Sequence, residues 1–296
     1  MRTPYVSAAA FRAHPTYMDV DGLIPDNPDP DAQTSELTNL LLKASSWADG
    51  EVDYPLGAHL HTQQTRTRTD HAGMLRLHAN RKPVRAVTAV AYGASPTSLT
   101  ALADPQAWVE DDANLVIPLS AGASTGWSGS LQVGFGGSAQ SEVFVRTSYV
   151  AGYVATVLTA AADTGDSSLT VADPTGIEPG GAYRIWEPGR EETVTVSPAW
   201  QPPAPSTIPG ATTVQLASPL VNNHETGHDL SGLPEDARLA IVNYTVSMLM
   251  RPDTSAEDEY PDTETRSSTR GRDTRRSGRG LIDEARKILK AYQRVR

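Results

Sequence analysis

Residues 224–228 read His-Glu-Thr-Gly-His. On a helix, two histidines four residues apart share one face and one zinc ion, and the glutamate between them acts as base on the metal-bound water of a peptidase. That chemistry requires a helix, and the flanks oppose one. Asn222-Asn223 precede the motif, Gly227 lies inside it, a predicted strand ends near Leu220, and Pro234 opens the next helix only six residues on. In extended chain His224 and His228 would stand about 13 Å apart, too far to share an ion, and no third ligand follows. The expectation is a loop, without metal and without cofactor.

Other candidate groups carry less. His59, His61, His71 and His78 are scattered along strand-like sequence. "GFGG" (134–137) lacks the last glycine and the following helix of a dinucleotide-binding turn. "GWSGS" (126–130) places its serines wrongly for a nucleophile elbow. Asp111-Asp112 and Glu191-Glu192 read as solvated pairs at loops or strand edges. No catalytic constellation is predicted, and the chain is expected not to be an enzyme.

The elements that would carry these residues alternate between two textures. Ser7 is a plausible cap for a short helix in "SAAAFRAH". "TSELTNLLLKASSWADG" places Leu37, Leu40, Leu41, Ala44, Trp47 and Ala48 at helical spacing, with a helix predicted over 35–49 and Gly50 as its stop. "LPEDARLAIVNYTVSMLM" (233–250) starts at Pro234 with acids in its first turn and is apolar nearly all round, which predicts the most buried helix. Between them lie β-branched or alternating runs such as "PVRAVTAVAYG", "EVFVRTSYV" and "REETVTV". Strands of four to seven residues with Gly/Pro turns roughly every ten residues suggest small barrels or sandwiches. "SPAWQPPAPSTIPGA" has five prolines in its fifteen residues and reads as an extended surface connection.

The organisation inferred is α+β. Residues 1–58 and the helix of 232–252 form a helical core, with two β modules inserted at 59–156 and 157–231. A charged linker (253–280) and a C-terminal helix (281–296) follow. The chain has no cysteine, which excludes disulfides and thiolate metal sites. It has no apolar run of about 18 residues and no signal-peptide core at the N-terminus, so it is expected to be a soluble product of a cytoplasm.

Charge is unevenly divided. Residues 266–296 hold 11 basic and 3 acidic side chains (+8), leaving 14 basic and 32 acidic (−18) in 1–265, which together give the net −10. "RSSTRGRDTRRSGRG" (266–280) could attract nucleic acid electrostatically but lacks aromatics for base stacking. The helix behind it carries an apolar seam of Leu281, Ala285, Ile288, Tyr292 and Val295, widened by Ile282 and Leu289. Acids open it and bases close it, as the helix dipole favours. Sixteen residues are marginal for an isolated helix, so the seam needs a groove, in its own domain or in another chain.

"YVSAAAFRAH", "LTNLLLKASSWADGEV" and "RLHANRKPVRAVTAVAYG" together resemble the head–tail adaptor (head completion, or connector) proteins of long-tailed phages. "AGYVATVLTAAADTGDSSLTVADPTGIEPGGAYRIWEPGREETVTV" resembles a small β module inserted in versions from phages of actinobacteria, and "LIDEARKILKAYQRVR" resembles that family's C-terminal helix. The adaptors concerned are smaller and mostly helical, so most of 60–230 departs from the pattern. The resemblance implies a homo-oligomeric ring, commonly of twelve copies, in the virion neck beneath the portal protein, made in the host cytoplasm. Double-stranded DNA would pass through its lumen during packaging and ejection without sequence-specific binding, and the next neck or tail protein would dock below. On this reading the C-terminal helix docks on the portal through Leu281, Ile282, Ala285, Ile288, Leu289, Tyr292 and Val295, with Arg294 and Arg296 meeting acidic groups. The alternatives are a nucleic-acid-binding protein using 266–280 and a zinc peptidase using the histidine motif.

Overall fold

The computed structural model describes residues 3–16, 18, 20–68, 74–103, 105–118, 142–203, 210–250 and 279–293. Near the N-terminus, the Ser7 hydroxyl accepts the Ala10 amide at 3.1 Å and starts α1 (Ala8–Ala13). The second helix, α2 (Pro30–Val52), is longer than its periodicity predicts. Asp29 caps it by accepting the Asp31 amide at 3.1 Å, and Pro30 occupies the first turn, where a missing N–H costs nothing. Gly50 lies inside the helix; the stop is Asp53, in the left-handed region at φ 65°. The buried face is Leu37, Leu41, Ala44, Ala48 and Val52, at steps of three and four.

The first β module contains β1 (His59–Arg68), β2 (Met74–His78), β3 (Val84–Ser95), β4 (Ser98–Ala101), β5 (Trp108–Glu110), β6 (Asn114–Pro118) and β7 (Glu142–Ala151). They form antiparallel sheets in the orders β1-β7-β3-β4 and β2-β6-β5. Alternation decides which side of β7 goes in: Val143, Val145, Thr147 and Tyr149 are buried, while Arg146 between them is exposed. Leu75 and Leu77 of β2 and Leu115 and Ile117 of β6 supply the opposing layer of one core, as in a sandwich.

The second module contains β8 (Ala155–Val157), β9 (Ser168–Val171), β10 (Ala182–Trp186), β11 (Glu192–Thr195), β12 (Thr212–Gln215) and β13 (Asp229–Ser231). A sheet β11-β10-β13-β8 and a pair β12-β9 share a core that includes Tyr183, Ile185, Leu230, Leu169 and Val214. The expected small barrel is corrected here. At the two seams the sheets meet through single bridges, Leu158–Val171 and Val196–Leu216, because strands of three to five residues end before a continuous ladder can form. Among the described residues no sheet closes into a barrel.

The chain passes between modules at Gly152, ahead of the expected boundary, since β8 already belongs to the second sheet. Gly152 has φ 109°, and a Cβ there would lie 2.5 Å from the Gly57 carbonyl oxygen. That close approach lets the Tyr153 amide reach the Leu56 oxygen at 2.8 Å and the Ala58 amide reach the Tyr153 oxygen at 2.7 Å.

The helical core is completed by α3 (Glu235–Leu249) and α4 (Arg279–Leu289), the latter continued by a 3-10 turn, Lys290–Tyr292. Tyr5, Phe11, Leu37, Leu41, Ala237, Ala240, Ile241, Ala285 and Leu289 are buried in one cluster. The Trp47 ring of α2 stacks on Tyr244 of α3 at 3.9 Å between centroids. Helix α3 was expected to be the most buried helix; its buried side carries the small residues Ala237 and Ala240 together with Arg238, while Leu239 on its outer side is 38% exposed.

Candidate functional site

Among the described residues, buried ionisable side chains come together in two places. The first is the histidine motif. Strand β10 ends at Trp186 and delivers Glu187, a turn carries Arg190, and β11 begins with Glu192. Opposite them His224 forms a single antiparallel bridge with Ala162, and Gly227, at φ 87°, turns the chain so that His228 comes back to the same carboxylate. The motif is a turn, so the 13 Å separation expected of extended chain does not apply. His224 Nδ1 lies 2.7 Å from Glu187 Oε2, its Nε2 lies 3.2 Å from Glu192 Oε1, and His228 Nε2 lies 3.6 Å from Glu187 Oε1. His224 has no exposed side-chain surface. Its two nitrogens leave opposite sides of the ring and each meets a different carboxylate, so they do not converge on one ion, and Glu225 is exposed. Among the described residues no group of three or more His, Asp or Glu is arranged to hold a metal.

The other candidates do not assemble with this cluster. His59 and His61 on β1 approach edge to face at 6.1 Å, and His61 packs on Tyr149 at 5.5 Å. Burial, and then the charge of Arg81, hold the His61 pKa below its ordinary value. His78 pairs with Asn114. His71, 126–130 and 134–137 lie outside the described residues. Asp111 and Asp112 are the left-handed corner of the β5–β6 hairpin. Of the supposedly solvated pair Glu191-Glu192, Glu192 is drawn in by His224, with only 11% of its side chain exposed.

No family model matches the chain, and no curated protein or solved structure matches it either.

The second polar centre was not foreseen. Arg238, on the inner side of α3, donates to Asp229 Oδ2 at 2.7 Å and to the Tyr5 carbonyl at 3.0 Å. The Asp229 carboxylate also accepts the Ser7 amide, at 3.0 and 3.1 Å, just where α1 begins. The guanidinium sits 4.6 Å from the centre of the Trp186 ring, whose other neighbour is Arg184, also at 4.6 Å. With side-chain exposures of 8% and 3% this is a buried ion pair, and it ties α3, β13 and the entry to α1 together. The signal for it in the sequence is a lone arginine inside an apolar helix and a lone aspartate six residues ahead of the helix start.

The C-terminal helix differs most from expectation. Its seam is occupied by the chain itself: Ala285 and Leu289 are fully buried in the helical core, Ile288 and Tyr292 pack at its margin, and Leu281 and Ile282 are half-buried. Tyr292 donates to Asp236 Oδ1 at 2.5 Å, and its carbonyl accepts the Tyr54 hydroxyl at 2.9 Å. Arg286 meets Glu51 at 3.1 Å, and Gln293 donates to the Glu51 carbonyl at 2.8 Å. The Tyr292 pKa is raised, first by burial and then by the hydrogen bond to Asp236. A seam held open for another chain is therefore corrected to one filled by α2 and α3. The physical reason is proximity: apolar faces of α2 and α3 lie in the same chain, where effective concentration favours them over a partner's. The described helix and its 3-10 turn run from Arg279 to Tyr292, and Arg294, Val295 and Arg296 lie outside the described residues.

Proposed function

We propose that this chain is a structural component of a phage neck, a head-to-tail adaptor that assembles as a ring, commonly of twelve copies, beneath the portal protein and passes DNA through its lumen. One observation carries the reading. The helices on the N-terminal side of the β region and those on its C-terminal side share one core, and both β modules leave it between Leu56 and Leu233. That is the arrangement implied by the resemblance of residues 5–14, 37–52 and 281–296 to adaptor helices, with the β sequence as insertions. The interior of His224–His228, where each imidazole meets a carboxylate, is a structural use of a motif that a peptidase would turn toward substrate.

Because the α4 seam is filled, portal contact on this reading falls to other surfaces, with α4 acting as a strut of the subunit. The test is assembly. Purified protein mixed with portal-bearing capsids lacking tails should bind at one vertex and add ring-shaped density of the portal's symmetry in electron micrographs. A chain that stays monomeric and leaves the capsids unchanged refutes the reading.

A further inference from the structure

The hydrogen-bond inventory of His224 does not close with a neutral ring. Neutral imidazole offers one N–H and one bare lone pair, whereas ionised glutamates only accept. Here Nδ1 faces Glu187 at 2.7 Å and Nε2 faces Glu192 at 3.2 Å, with the ring sealed from solvent. Whichever nitrogen lacked hydrogen would set its lone pair against a carboxylate oxygen inside the protein. We propose that His224 is a buried proton-binding site, an imidazolium that bridges Glu187 and Glu192 and clasps the 221–228 loop to the β10–β11 hairpin.

The surrounding groups support that placement. His228 is a poor alternative holder, because its Nδ1 is buried with no hydrogen-bond partner among the described residues and a proton there would be stranded. Its neutral form, with Nε2–H toward Glu187, leaves only a lone pair unsatisfied. Charge also balances: Glu187 and Glu192 are offset by the His224 proton and by Arg190, whose guanidinium lies 3.5 Å from Glu187. The 158–166 segment meets His224 through the Ala162 backbone, by bonds of 2.8 and 2.9 Å. Glu192 uses its second oxygen to accept the Val221 amide at 3.0 Å, so the carboxylate that holds the proton also holds the start of the loop.

The clasp has somewhere to transmit its state. The loop it closes runs through His228 directly into Asp229, the anchor of Arg238 and Ser7. When the proton leaves to water, a lone pair opposes a carboxylate, the 221–228 loop loses its inner tether, and the attachment of the second module to the helical core is weakened.

The experiment uses the full chain with 15N-histidine. At neutral pH, His224 should show both ring nitrogens protonated, with the signals assigned by their loss in His224→Gln. Glu192→Gln is the second variant: the amide can donate to Nε2 while its oxygen still accepts Val221, so a neutral ring becomes fully satisfied. In that variant His224 should show one protonated nitrogen, and the rise in hydrogen exchange of residues 221–230 seen in wild type on the alkaline side, beyond the intrinsic chemical rate, should disappear. A neutral tautomer in the wild type at neutral pH overturns the proposal. So does a Glu192→Gln protein whose alkaline loosening matches the wild type.

Discussion

Replacing Arg238 by alanine tests what fastens the helices to the second β module. The substitution removes a charge-assisted bond to Asp229 at 2.7 Å, a bond to the Tyr5 carbonyl at 3.0 Å, and the face contact with Trp186. It also leaves the Asp229 carboxylate, 3% exposed, with only the Ser7 amide as a partner among the described residues. Removing one member of a buried pair costs about 3–5 kcal/mol, mostly from the stranded charge. At 1.4 kcal/mol per decade that is a loss of roughly 100- to 4,000-fold in protection. Hydrogen exchange is the suitable assay, since three separate cores need not unfold together and exchange reads each one. Protection should fall at the Ser7, Ala10 and Phe11 amides and hold at β2 and β6, whose core is distinct. Adding Asp229→Ala should restore part of the loss, because the stranded charge is gone. A fall of less than tenfold, or an equal fall in β2 and β6, refutes the argument.

Three further outcomes follow from packing and charge. Leu289→Ala should lower stability by about 2–5 kcal/mol in urea unfolding, as for a fully buried leucine; an unchanged midpoint would mean that the seam is not part of the core. Gly152→Ala should cost about 2 kcal/mol or more, because φ 109° and a Cβ at 2.5 Å from a carbonyl oxygen are both unfavourable, and circular dichroism melts would register it. Tyr292 has a raised pKa in the fold, so above the ordinary tyrosine value the folded state binds the extra proton and stability falls as pH rises. Tyr292→Phe should remove that alkaline fall and cost about 1 kcal/mol at neutral pH, with urea unfolding at the two pH values as the readout.

Legibility in the sequence varied with how local the cause was. Ser7 as a cap and the strand texture of 142–151 could be read because neighbours a few residues apart decide them. The start of α2 was missed because periodicity begins at Leu37, while its real signal is the Asp29-Pro30 pair upstream. Gly50 misled for the opposite reason: tertiary packing of Ala44, Ala48 and Val52 carries the helix through a residue of poor propensity. The non-helical character of 224–228 was legible from its flanks. Glu187 and Glu192 as partners were not, since they lie more than thirty residues away across a sheet. The α4 seam was recognised as needing a groove, but amphipathicity is silent on which chain provides it.

A core closed by distant segments imposes an order of events during synthesis. Each β module is complete within its own stretch, 59–151 and 154–231, and can fold as it emerges. The helical core cannot: Phe11 and Leu37 share a cluster with Ala285 and Leu289, and the Ser7–Asp229 bond alone spans 222 positions. Translation at about 5–20 residues per second separates Phe11 from Ala285 by roughly 15–55 s. Until those helices follow, the apolar stripe of α2 has neither α3 nor α4 to cover it, and α4 comes last. A ribosome stalled after the second module would therefore carry two folded β domains and an adhesive N-terminal helix.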